Sequence, residues 1–101
     1  MSHPEDDPIE RLAENIGTCY FSDLRAHVDR DVVIVVANDL DLLDVARAVA
    51  RDEAETVRGF IAAEKLRKPS MEQIQRWKSD DRLTFRSVIV RPYVLVQTLT
   101  N

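Results

Sequence analysis

Glycine occurs only twice in these 101 residues, and cysteine once. With Cys19 alone, no intrachain disulfide can form, which fits a reducing compartment, and a cytoplasmic location is expected. Gly17 and Gly59 lie far apart, so no glycine-rich loop can cradle a phosphate. His3 and His27 are the two histidines, and neither has a second His or Cys at metal-ligand spacing. No apolar run approaches the roughly 18 residues that span a bilayer. Met1 to Asp7 is acidic and lacks the apolar stretch of a signal peptide. No membrane contact is therefore expected. Repeats and low-complexity tracts are also missing.

What is present is an ordinary globular composition, 45% apolar, in a length that suits one domain. The formal net charge of -4 hides an uneven distribution. Residues 1–56 hold 14 acids and 5 bases, a net of -9. Residues 57–91 hold 9 bases and 4 acids, a net of +5, and residues 92–101 carry no charge. Such a split marks either an electrostatic partner surface or two halves of one fold that neutralise each other. Residues 1–8 read as a loose acidic tail, and residues 9–101 as a single domain.

Ile9, Leu12, Ala13 and Ile16 form an i, i+3, i+4, i+7 stripe, with Pro8 as a start signal and Gly17 as a stop. A short helix is expected from Ser22, with Ser22 or Asp23 as its cap. Val32 to Ala37 is a β-branched run without a polar face, so it reads as a central strand covered on both sides. Leu42, Val45, Ala46, Val49 and Ala50 then form a full amphipathic stripe, with Asp41 as N-cap and Asp44 in the first turn. A further helix should bury Val57, Phe60 and Ile61, and Gly59 within it reads as a point of close packing. Leu66 to Lys68 is extended. Ser70 and Gln73 have capping-box spacing ahead of Met71, Ile74 and Trp77. Leu83 to Val90 alternates as a strand, and Tyr93 to Thr98 resumes one. Arg91-Pro92 lacks tight-hairpin chemistry, so a kink, bulge or change of partner is expected there. The fold class is α+β: a helical middle section packed on a small, mainly antiparallel sheet.

Sharp chemical motifs are weak. Asp39, Asp41 and Asp44 follow a strand, but a calcium loop needs glycine and glutamate where Asp44 and Ala50 stand. The same acids, with Asp80 and Asp81, resemble the acidic set of haloacid-dehalogenase-type phosphatases, yet the chain is too short for that fold. Helix capping explains Asp41 and Asp44 with less. His27 reads as a surface or partly packed residue and Cys19 as a small buried one; no local nucleophile motif accompanies them. No catalytic, cofactor-binding or metal-ligating residue is assigned.

Residues 41–65 resemble a winged-helix pair, in which Arg58, Lys65, Arg67 and Lys68 would meet nucleic-acid phosphates. Glu53 and Glu55 at the start of the second helix, and a third helix where a wing should follow, count against this. Tyr93, Val94, Leu95, Val96 and Gln97 form the other candidate surface. Left bare, that apolar strand would be a risky edge, so it pairs either within the sheet or with a second copy, giving a homodimer.

One resemblance covers residues 18–99. Val33-Ile34-Val35-Val36, Leu40-Asp41-Leu42-Leu43-Asp44-Val45-Ala46, Asp52, Gln73, Trp77 and the stretch from Val88 to Gln97 through Pro92-Tyr93-Val94-Leu95-Val96 are similar to a family of small bacterial proteins. That family is a domain of unknown function. Phe60 stands where tryptophan is common in it, and tryptophan also occurs where this chain has Tyr93. The resemblance implies a bacterial, cytoplasmic protein and brings no reaction or ligand. The expected role is a non-catalytic protein-interaction or binding module, with a nucleic-acid-binding regulator as the alternative.

Overall fold

The computed structural model describes residues 11–99. The expected tail over residues 1–8, His3 and Ile9 lie outside the described residues. The elements run α1 (Leu12–Asn15), β1 (Gly17–Tyr20), α2 (Phe21–Asp29), β2 (Val33–Val36), α3 (Leu42–Ala50), α4 (Ala54–Ala62), β3 (Leu66–Arg67), α5 (Met71–Ser79), β4 (Thr84–Val90) and β5 (Tyr93–Thr98). The strands form one sheet in the order β1-β4-β5-β2-β3. Every pairing is antiparallel except β5 with β2, so the sheet is mainly antiparallel, as the α+β reading expects.

The apolar run of β2 has the predicted cause. Successive side chains point to opposite faces, and both faces are covered. Val36, with its sheet neighbours Leu66, Val88 and Leu95, packs under Leu12 of α1 and Leu42, Val45 and Ala46 of α3. Val33, with Phe85, Val94 and Val96, packs under Phe21 and Leu24 of α2 and Trp77 of α5. Trp77 meets Phe85 edge-on at a centroid distance of 5.0 Å, a favoured aromatic geometry. The helices therefore lie in two layers, with the sheet between them.

Local signals hold at two helix starts. Asp41 Oδ1 accepts the Leu43 N–H at 2.9 Å. Ser70 and Gln73 exchange both capping-box bonds, at 3.1 and 3.2 Å. At α2 the helix starts one residue before Ser22, and Asp23 accepts the N–H of Tyr20 at 3.0 Å.

Helix α1 stops just before Gly17, with Ile16 as its C-cap, and Gly17 then opens β1, an edge strand too short and too exposed to show alternation. Three expectations are corrected. Ile61 is not buried with Val57 and Phe60 but is largely exposed. Gly59 does not mark close packing, because a Cβ there would meet nothing within 4 Å. Arg91-Pro92 does form a two-residue hairpin, with Val90 opposite Tyr93. Its peptide bond is cis.

Helices α2, α3 and α4 all end the same way. The residue after each C-cap sits in the left-handed region: Asp31, Asp52 and Glu64, with φ of 62°, 55° and 60°. Its N–H, and the next one, turn back to the carbonyls of the last turn: Asp31 to Val28, Val32 to His27, Asp52 to Val49, Glu53 to Ala48, Glu64 to Ile61, and Lys65 to Phe60. This is the Schellman closure, usually made with glycine. A chain with two glycines makes it with three acids.

Candidate ligand groove

Helix α4 buries no residue completely. Val57 and Phe60 lean on the core, while Ile61 is left 55% exposed. The reason lies in the sheet beneath. Strand β3 is only two residues long, so the corner between α4 and the sheet is incompletely filled. A cavity of about 340 Å³ opens there. Ile34 of β2 and Leu95 of β5 lie side by side in register and form its floor. Val49, Val57 and Ile61 form the helical wall, and Tyr93 closes one end. Arg67 and Lys68 stand at the rim. The lining contains no carboxylate, histidine or cysteine.

A second cavity of about 450 Å³ adjoins it, sharing Val49, Val57 and Tyr93. It adds Arg58, Arg91 and Asp52. Tyr93, 41% exposed, thus stands between an apolar slot and a polar one. Arg58, Arg67 and Arg91 make no ion pair among the described residues, whereas Lys68 Nζ bonds Asp31 Oδ2 at 2.6 Å. Lys65 pairs with Asp39. The hydrogen bond from Lys65 holds the Asp39 carboxyl below its ordinary range, against an opposing effect from desolvation.

The sequence candidates divide accordingly. Val94, Leu95, Val96 and Gln97 are buried, and β5 is paired on both edges, by β4 and β2. Within this sheet the strand is covered by its own chain, the first of the two arrangements expected of it. Gln97 donates from Nε2 to the carbonyls of Ala37 and Leu40, at 3.0 and 2.8 Å. Of the five only Tyr93 is exposed, and Leu95 meets the groove as part of its floor. Of Arg58, Lys65, Arg67 and Lys68, two are engaged in ion pairs, and Arg67 and Lys68 share the apolar slot with Ile61. The helix pair is followed by β3 and then by α5 on the other face of the sheet, so no wing hairpin follows it.

Asp39, Asp41 and Asp44 do not converge: the first pairs with Lys65 and the second caps α3. Among the described residues no group of three or more His, Cys, Asp or Glu is placed to hold a metal ion. Cys19 is half-buried, with its Sγ 3.5 Å from Ser87 Oγ. No described helix is long and apolar enough to cross a membrane.

Ile34, Val49, Val57, Ile61 and Arg91 are the groove residues that spacing does not reveal as a site. Their helical or strand stripes read as ordinary core. Ile61 in particular reads as buried beside Val57 and Phe60, and only the structure shows it exposed.

A family model described as "Protein of unknown function (DUF2288)" matches residues 8–98. The solution NMR structure of PA1075 from Pseudomonas aeruginosa has the same fold, with a TM-score of 0.80 at 25% sequence identity, covering 100% of this chain and 95% of that one. No curated protein matches.

Proposed function

The chain belongs to the DUF2288 family, and from that premise we propose that it is a non-catalytic binding module whose ligand site is the groove at Tyr93. The observation that carries this reading is the apolar slot between α4 and the sheet, floored by Ile34 and Leu95 and rimmed by Arg67 and Lys68. Its volume falls within the range of small-molecule sites, and its makeup, mostly apolar with a few placed polar groups, is theirs as well. A bacterial, cytoplasmic setting accords with the Pseudomonas aeruginosa structure and with a lone cysteine.

The test is binding of an environment-sensitive dye, 1-anilinonaphthalene-8-sulfonate, to wild type, Ile61→Asp and Tyr93→Ala. Wild type should bind with enhanced fluorescence. Both variants should lose at least about fivefold in affinity, because a charge in the wall or loss of the aromatic end removes over 1 kcal/mol of apolar contact. Equal binding by all three, with folding intact by circular dichroism, contradicts the site.

Homodimerisation is a second reading, and it now rests on β1. That strand pairs with β4 on one edge only, and its last residue, Tyr20, is exposed. Sedimentation equilibrium up to high micromolar concentration decides it: a constant monomer mass removes the dimer.

A further inference from the structure

We infer that the groove at Tyr93 takes a small amphipathic anion, an organic acid with an apolar body and a carboxylate or phosphate head. This deepens the binding-module reading and rests on it. The charge around the opening carries the argument. Arg58 and Arg91 both line the polar cavity that adjoins the apolar slot at Tyr93. Neither is neutralised by an ion pair among the described residues. Lys68 is balanced by Asp31, and Asp52 is the one acid lining either cavity. The rim is therefore positive on a chain whose net charge is -4. A neutral apolar ligand would fill the slot and leave these cations unused. A cationic one would be repelled.

Guanidinium groups match carboxylate and phosphate oxygens in a two-pronged geometry. The floor of Ile34 and Leu95 then takes the apolar body. A volume near 340 Å³ is at the small end for ligand sites, so the body is a short acyl chain or a single aromatic system. Tyr93, between the two cavities, sits where the apolar body would pass into the charged head.

The experiment compares three eight-carbon probes on the whole chain by amide chemical-shift titration: octanoate, 1-octanol and octyltrimethylammonium. Octanoate should bind at the groove at least about threefold tighter than octanol, and the cation should bind weakest. In R58Q/R91Q the preference for octanoate should be lost, a fall of about threefold or more, since exposed charge pairs are each worth up to about fivefold. Both substitutions are on exposed side chains, and an unchanged spectrum elsewhere checks the fold. If octanol binds the groove as tightly as octanoate, the groove is a site but the anion is the wrong class. If no probe moves the groove residues, the binding-module reading falls as well. Self-association through the groove, seen as concentration-dependent shifts of its residues without probe, also overturns the inference.

Discussion

The side chain of Gln97 donates to the carbonyl of Leu40 at 2.8 Å, across 57 residues of sequence. It also donates to Ala37 at 3.0 Å, so one amide at 6% exposure fixes the turn between β2 and α3. That turn delivers Asp41 to its cap position and sets the start of α3, the helix that supplies Val49 to the groove. Gln97→Leu keeps the volume and removes the donor. Removing its two bonds to half-buried carbonyls, of which that of Ala37 keeps the Leu40 N–H, should cost about 1 kcal/mol, measured by urea unfolding at neutral pH. A loss below about 0.3 kcal/mol would show that the turn holds itself.

Two positions in and just after α4 carry the wrong residue for their backbone, and opposite substitutions should stabilise both. Gly59 sits inside α4 with open space around it. Gly59→Ala should stabilise by about 0.5–1 kcal/mol, through helix propensity and a less flexible unfolded chain. Glu64 sits at φ 60° just beyond the same helix, where a side chain is unfavourable and a carboxylate opposes the helix dipole. Glu64→Gly should also stabilise, by roughly 0.5–1 kcal/mol. Midpoints of chemical unfolding for each variant decide both. If Gly59→Ala destabilises, α4 is not the regular helix described.

Asp39 supplies the pH dependence. Its carboxyl is held below the ordinary value of 3.8 by the hydrogen bond from Lys65. A group depressed in the folded state stabilises it fully above its unfolded pKa, and the contribution is lost as pH falls through the folded value. Stability from this pair should therefore be constant at neutral pH and decline only in the acid range below about 4. Lys65→Met should raise the Asp39 midpoint in a carboxyl NMR titration. The stability effect should be small, because both partners are substantially exposed. An unmoved midpoint would mean that the pair does not persist in solution.

Much of the fold is legible in the residues themselves. The β-branched run at Val33–Val36, the cap at Asp41 and the Ser70–Gln73 box are local signals with local causes. The short β1 and the Arg91-Pro92 hairpin are not, because one lacks alternation and the other turns without glycine. Sequence cannot show that β5 pairs in parallel with β2, since that choice depends on which distant strand buries Val94 and Val96. The groove is the least legible feature. It joins Ile34, Ile61, Arg67 and Tyr93 from four elements, and it exists because β3 stops after two residues. The charged stretch from Arg58 to Arg91 and the residue Tyr93 stand out in the sequence as separate candidates; the fold brings them to one opening.

The most direct measurement is an amide and indole chemical-shift map of the whole chain with octanoate. Shifts should concentrate at Ile34, Val57, Ile61, Arg67 and Tyr93, and the Trp77 indole should stay still, because Trp77 belongs to the core on the opposite face of the sheet. Shifts centred on Trp77 and Phe21, or none at saturating octanoate, would contradict a ligand site at Tyr93.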